Sequence, residues 1–213
     1  KRSIFKQLHL KRPDVLLAAG IGEDCAAFAV AEDEVAVISA DPVIWEDSLG
    51  GRCAVHANLN DLAAGGAEPV GLMLTALLPP EIEEAQMRQM VQMIAQECEP
   101  LQVQILGGHT EVTDAVKCPV VSIAAVGKAM LSTTAGAKPG DDIVVTKWIA
   151  LEATAKLARS RREALLSRYP RHLLDDAERF QQYFSVIPEA ATAVKSGVRA
   201  MHDVTTGGIF GAL

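Results

Sequence analysis

Apolar runs alternate with polar, helix-forming stretches along the chain, and this alternation predicts a sheet flanked by helices. The apolar runs are rich in Val, Ile and Leu, as expected of buried strands, and they cover residues 35–39, 71–78, 103–106 and 119–126. Residues 81–97 instead place their apolar side chains near one face of a helix, with acidic residues at its start. We therefore predict an α+β fold class.

The composition changes after the last of these strands. The stretch LSTTAGAKPGDD, residues 131–142, has the Gly, Pro and Thr content of a connector, and residues 143–146 are predicted to be a strand that opens a second domain. We expect an N-terminal domain over residues 1–130 and the start of a C-terminal domain over 138–213. The sequence stops at GGIFGAL, where a helix is predicted to begin, so we expect this second domain to be incomplete.

Charge and cysteine content narrow the classes of function. The 213-residue chain has a formal net charge of −7 and no Lys/Arg run long enough for a nucleic-acid track, so we expect no nucleic acid as partner. The longest apolar run, near residues 70–78, is far shorter than a membrane span, and no apolar segment typical of a signal peptide follows the basic N-terminus. Four cysteines without CxxC spacing indicate thiols in a reducing, cytoplasmic compartment.

Acidic residues and paired glycines follow several of the apolar runs. The segments are GIGEDCAAF (20–28), SADPVI (39–44), NDLAAGG (60–66), ILGGHTEV (105–112) and MHDVTTGG (201–208). A carboxylate at the end of a strand is held rigidly enough to bind a metal ion, and paired glycines let the backbone turn tightly or approach a phosphate. Each segment alone also fits a simple cap or turn.

Specific positions follow from this pattern. Asp41 is expected to end the strand over 35–39, and Asp203 to end a short strand before a Gly-Gly helix entry. Gly107 and Gly108 are expected to form a turn. Asn60 and Asp61 are expected at the entry into a short Ala-rich helix, where capping is the simpler explanation of the pair taken alone.

In this order, the five segments resemble the PurM-like superfamily of ATP-dependent enzymes. It includes aminoimidazole ribonucleotide (AIR) synthetase, selenophosphate synthetase, thiamine-phosphate kinase and the hydrogenase-maturation factor HypE. The resemblance extends from Gly20 to the last residue. It implies a two-domain PurM-like fold in which the N-terminal mixed sheets of two subunits pack into a barrel, and hence a homodimer.

The resemblance also implies a site for ATP and Mg²⁺. Metal ligation would fall to four aspartates, Asp24, Asp41, Asp61 and Asp203, of which Asp61 and Asp203 would also be catalytic. The nucleotide would contact Asn60, Gly107, Gly108, His109 and Thr110. Two features depart from the relatives. His109 stands where HypE and thiamine-phosphate kinase carry Asp, so a hydrogen bond to phosphate is expected there instead of metal ligation. Ala150 and Ala153 replace glycines in the loop that leads into the predicted helix 148–158.

The implied reaction is phosphoryl transfer from ATP to an unidentified small-molecule or protein-bound acceptor, followed by dehydration in HypE-like members. The ending HDVTTGGIFGAL and the connector GAKPGD resemble HypE-like or AIR synthase-related proteins most, which adds a maturation protein as an expected partner. Thiamine-phosphate kinase, AIR synthetase and selenophosphate synthetase remain alternatives. A non-catalytic nucleotide-sensing or partner-binding protein is the alternative from another class.

Overall fold

Four long strands form a mixed sheet at the centre of the computed structural model, which describes residues 6–17, 27–45, 48–130, 136–205 and 207–213. The strands are β3 (Glu34–Ile44), β4 (Glu68–Leu78), β5 (Gln104–Val112) and β6 (Val120–Met130), and they lie in the order β3-β6-β4-β5. β6 is antiparallel to both its neighbours, whereas β4 and β5 are parallel. Two short antiparallel strands, β1 (Val15–Leu17) and β2 (Ala27–Phe28), precede the sheet.

Two helices cover one face of this sheet. They are α1 (Gly50–Ala64) and α2 (Glu84–Cys98). β6 alternates half-buried residues with buried ones, as a strand does when one of its faces packs on a core. In α2, Met90, Ile94 and Cys98 are buried at the four-residue spacing of one helix face, as the sequence predicts. A capping box between Glu83 and Gln86 fixes the start of α2.

The second part of the chain is helical in the described ranges. Its helices are α3 (Leu151–Ser160), α4 (Arg162–Leu166), α5 (Arg171–Arg179), α6 (Ile187–Lys195) and α7 (Gly208–Ala212), with a 3₁₀ turn at Phe180–Tyr183. Leu49 and Cys53, at the start of α1, form a small buried cluster with Ala155 and Phe184. This cluster joins the second part of the chain to the first. No helix in the described ranges is both long and apolar enough to cross a membrane.

β3 differs from the predicted buried strand. It runs on to Ile44, so Asp41 and Pro42 lie inside the strand and do not follow its end. Among the strands that the structure describes, β3 pairs with β6 alone, and its side chains alternate in exposure; Ile38 is 68% exposed. The edge position accommodates Pro42, because a proline without an N–H is tolerated at the free edge of a sheet, whereas the alternating exposure follows from the helices covering the opposite face of the sheet from Ile38.

The Gly-Gly turn expected at Gly107-Gly108 is wrong, because both glycines lie within β5. Gly108 has φ +145°, and a Cβ placed there would lie 1.8 Å from the carbonyl oxygen of Leu74 on β4. The register between β4 and β5 shifts one pair earlier, between Leu72 and Met73. The structural role of Gly108 is therefore to let two strands approach each other closely.

Three further boundaries differ from the prediction. Residues 143–146 and 201–205 form no strand, because neither segment pairs with another strand in the described part of the chain. Asn60 and Asp61 lie in the last turns of α1, so they cannot cap its start. The helix begins ten residues before Asn60 because its upstream half buries apolar side chains such as Val55.

Candidate active site

Helix α1 lies across strand β3 and brings two pairs of polar residues face to face. Ser39 and Asp41 are two residues apart in β3 and therefore point to the same side of the sheet. Asn58 and Asp61 are three residues apart in α1 and therefore lie on one face of the helix. The predicted aspartates Asp41 and Asp61 are thus neighbours in space although 20 residues separate them in sequence.

Asn58 fixes the backbone of β3 at Asp41. Its side chain is fully buried, and its Oδ1 accepts a hydrogen bond from the Asp41 N–H at 2.8 Å. Its Nδ2 donates to the carbonyl of Ala54 at 3.0 Å and contacts that of Asp41 at 3.4 Å. The sequence analysis missed Asn58. Its position three residues before Asp61 in a helix was the signal that could have identified it.

Asp61 stands between a hydroxyl and a second carboxyl. The Ser39 Oγ donates a hydrogen bond to Asp61 Oδ2 at 2.5 Å. A hydrogen bond with Asp61, together with partial burial and the negative charge of Asp61, raises the pKa of Asp41 above its ordinary value. Ser39, like Asn58, was not predicted, although it lies two residues before Asp41.

Asp203 completes the group from the second part of the chain. It lies between α6 and α7, its side chain is only 7% exposed, and its Oδ2 has no hydrogen-bond partner among the described residues. Burial is the main cause that raises the pKa of Asp203, and the negative charge of Asp61 adds to it. Its other oxygen lies 3.6 Å from Nδ1 of His202. Asp61 therefore interacts with both Asp41 and Asp203.

The three aspartates supply the type of ligand atom that a divalent cation binds. Mg²⁺ prefers carboxylate oxygens, and a cation would favour the charged form of Asp41, whose pKa is raised chiefly by a hydrogen bond with Asp61, and of Asp203, whose pKa is raised chiefly by burial. It would also satisfy the buried Asp203 Oδ2. In the described ranges no three His, Cys, Asp or Glu side chains already stand at the spacing of a metal site. The fourth predicted ligand, Asp24, lies outside the described residues.

The predicted nucleotide residues of β5 lie at the far edge of the same sheet. Gly108 aligns with Asp41 through Leu74 and Ile123, three strand spacings or roughly 14 Å away. His109 points to the opposite side of the sheet, where it is exposed and its Nε2 lies 3.1 Å from Glu111.

Gly107 lies on the His109 side of β5, whereas Thr110 shares the side of Gly108 because strand residues alternate between faces. The structure does not bring these four residues to the aspartates within the chain. Their contact with a nucleotide stays a prediction.

Asn60 holds the second part of the chain. Its Nδ2 donates to the carbonyl of Phe184 at 2.8 Å, and its Oδ1 accepts from the N–H of Val186 at 2.9 Å. Both ends of this amide are therefore bonded to one backbone segment. Its predicted contact with a nucleotide also stays a prediction.

Comparison with known families places these residues in context. The AIR synthase related protein N-terminal domain matches residues 22–129, and the AIR synthase related protein C-terminal domain matches residues 138–213. The chain belongs to the AIR synthase related family. The predicted PurM-like membership is thereby confirmed for this AIR synthase related chain.

Individual relatives agree with this placement. The chain is 29% identical over 216 residues to the carbamoyl dehydratase HypE of Rhodobacter capsulatus, a match that covers 99% of this chain and 60% of that protein. It is 34% identical over 152 residues to the thiamine-monophosphate kinase of Escherichia coli K12, which covers 67% of this chain and 45% of the kinase.

The crystal structure of E. coli HypE superposes with a TM-score of 0.72 at 20% identity, covering 99% of this chain and 65% of that one. This likeness confirms the fold of the AIR synthase related chain, a mixed α/β structure built on a mixed sheet.

Proposed function

We propose that this AIR synthase related chain is the ATP- and Mg²⁺-binding part of a HypE-like enzyme that phosphorylates a carbamoyl-type oxygen before dehydration. The observation that carries the proposal is the mutual influence of Asp41 in β3, Asp61 in α1 and Asp203 in the segment between α6 and α7, since Asp61 raises the pKa values of both other carboxyls. The match to a carbamoyl dehydratase over almost the whole chain supports it. So does a HypE crystal structure in complex with ATP, which has the same fold at a TM-score of 0.51 and 20% identity, over 65% of this chain and 41% of that one.

The chemistry explains why one site would serve ATP use and dehydration. An amide-type oxygen is a poor leaving group, and its phosphorylation makes elimination possible. A magnesium ion held by Asp41, Asp61 and Asp203, together with Asp24 as the family resemblance implies, would neutralise charge on the transferred phosphoryl group. The protein's own part is to hold its carboxylates in place. Asn58 fixes the backbone at Asp41, and Ser39 orients the carboxylate of Asp61.

A thiamine-phosphate kinase is the second candidate. The 34% identity to the E. coli enzyme favours it, although this match covers less of the chain than the HypE match does. Both candidates need phosphoryl transfer from ATP, and they differ in the acceptor. A maturation protein would be the partner in the HypE-like case alone.

We further propose that two copies associate through the open face of the sheet. The side of β3 that points away from α1 carries Ile38 and Ile44, which are 68% and 58% exposed. Their neighbours on this face of β6 include Val126 and Val120. An extended apolar face of this kind is typical of a protein interface. A homodimer would also bring the β5 edges of two subunits near one shared surface.

Turnover in the presence of alternative acceptors tests the proposed function. The chain would be incubated with ATP and Mg²⁺ together with either an S-carbamoyl cysteine peptide or thiamine monophosphate, and ATP-analogue binding and released ADP would be measured. Nucleotide release that depends on the carbamoyl peptide supports the HypE-like activity. Release with thiamine monophosphate alone supports the kinase, and nucleotide binding without turnover supports the non-catalytic alternative.

A further inference from the structure

The segment Phe184–Val186 is held from two sides at the junction between the two parts of the chain. Asn60, in α1, bonds to its first and last residues, at 2.8 Å and 2.9 Å. Lys147 approaches from the second part, where its Nζ donates to the carbonyl of Ser185 and forms an ion pair with Glu189 at 3.0 Å. The buried side chain of Phe184 anchors the segment in the cluster at the start of α1.

This junction lies between two of the candidate metal ligands along the chain. Asn60 is adjacent to Asp61, whereas Val186 leads directly into α6, which packs against α1. Asp203 follows α6 and interacts with Asp61. The position of Asp203 relative to Asp61 therefore depends on how the start of α6 is attached to α1. Among the described residues, the side-chain amide of Asn60 contributes two hydrogen bonds to this attachment.

We propose that Asn60 is a positioning residue that acts through Phe184–Val186 and holds Asp203 at Asp61, so that the divalent-cation site forms only when the junction is closed. This inference rests on the proposed metal site. It assigns Asn60 a different role from direct nucleotide contact, because both ends of its amide are already bonded to the backbone of the junction. Removal of the amide would loosen the junction without changing any carboxylate.

Binding of Mn²⁺ alone, in the absence of nucleotide, tests the proposal by calorimetry on the full chain. Asn60→Ala keeps a good helix former in α1 while it removes both bonds to the junction. We expect the Mn²⁺ dissociation constant to rise by at least about tenfold, the effect typical when a residue that supports metal ligands is lost. Ser196→Ala is the matched control, because it removes a side-chain bond to the Thr192 carbonyl at the exposed end of α6. We expect the control to bind Mn²⁺ like the wild type.

A double substitution separates positioning from direct contact. If Asn60 acts through Asp203, Asn60→Ala should add little to the loss of Mn²⁺ affinity in an Asp203→Asn background. If Asn60→Ala instead reduces Mn²⁺ affinity by the same factor in the Asp203→Asn background as in the wild type, the proposal is wrong. Hydrogen exchange supplies a readout without metal: the Val186 amide should exchange faster in Asn60→Ala than in Ser196→Ala.

The remaining outcomes are distinguishable. Wild-type protein that binds no Mn²⁺, with or without an ATP analogue, would overturn both this inference and the proposed function. Wild type and Asn60→Ala that bind Mn²⁺ equally, while Asp61→Asn binds none, would overturn the inference alone and leave the proposed function standing.

Discussion

At the scale of single residues, the pKa shifts predict that Asp41 and Asp203 change the pH dependence of stability in the opposite direction to Asp14. Asp41 and Asp203 have raised pKa values in the folded chain, so their contribution to stability is present below the unfolded value of 3.8 and is lost as the pH rises through the folded pKa. Asp14 has a lowered pKa, chiefly because Arg12 donates hydrogen bonds to its carboxylate. Its contribution is present above 3.8 and is lost as the pH falls.

The first prediction concerns Asp203→Asn in metal-free protein. The substitution removes a buried charge, one oxygen of which has no hydrogen-bond partner among the described residues, so we expect a gain of about 1 kcal/mol in the free energy of unfolding at pH 7. Near pH 3.5, where the native carboxyl is protonated, most of this gain should vanish. Urea unfolding at both pH values measures the difference.

Asp14→Asn is the matched control for this experiment. It removes a carboxylate that is paired with Arg12 and with Lys128 at 2.7 Å. We therefore expect it to destabilise the protein at pH 7 and to have a smaller effect near pH 3.5. A gain from Asp203→Asn that is equal at both pH values would show that the charge at position 203 is not its cause.

At the scale of secondary-structure elements, the paired glycines of β5 give the sharpest contrast. A Cβ at Gly108 would lie 1.8 Å from the Leu74 carbonyl oxygen, whereas the nearest atom to a Cβ at Gly107 is Met73 Cε at 3.8 Å. We expect Gly108→Ala to lower the free energy of unfolding by roughly 3 kcal/mol or more, because strand β4 or β5 must move.

Gly107→Ala serves as the control for that prediction and should change stability by less than about 1 kcal/mol. Thermal or urea unfolding of both variants provides the measurement. Similar losses in the two variants would mean that the close approach of β4 to β5 is not what requires a glycine at position 108.

The presence of several strands and helices could be predicted from sequence, but which strands pair with each other could not. The apolar runs of β4 and β6 and the helical period of α2 depend on local patterns, and the sequence predicts all three. Whether residues 143–146 form a strand depends on a pairing partner, which no local pattern reveals. The edge position of β3 depends in the same way on the order of strands in the sheet.

The candidate site likewise combines residues that the sequence predicts with residues whose role only the structure shows. The motif order pointed to Asp41, Asp61 and Asp203, because acidic residues after apolar runs are visible in sequence. The spacing of Asn58 from Asp61 and of Ser39 from Asp41 is visible in sequence, but the hydrogen bonds by which they hold these carboxylates in place depend on α1 extending over 15 residues and crossing β3. The contacts of a buried polar side chain follow from packing, which a single sequence does not specify.

At the scale of the whole molecule, the open face of the sheet predicts self-association. Ile38→Asp places a charge among the exposed apolar side chains of this face and should convert a dimer into a monomer in analytical ultracentrifugation, since stable dimers bury apolar surface of this kind. Leu173→Asp is the control, because Leu173 is also exposed, at 47%, but lies on helix α5. A wild-type chain that is monomeric at high concentration would contradict the proposed dimer.

We propose that Asp41, Asp61 and Asp203 form a magnesium-dependent nucleotide site, because Asp61 raises the pKa values of both other carboxyls. Calorimetric titration with a non-hydrolysable ATP analogue, with and without Mg²⁺, tests it most directly when wild type and Asp61→Asn are compared. We predict binding that depends on Mg²⁺ in the wild type and is weakened by about tenfold or more in the variant. Binding that ignores Mg²⁺ and survives the substitution would contradict the account.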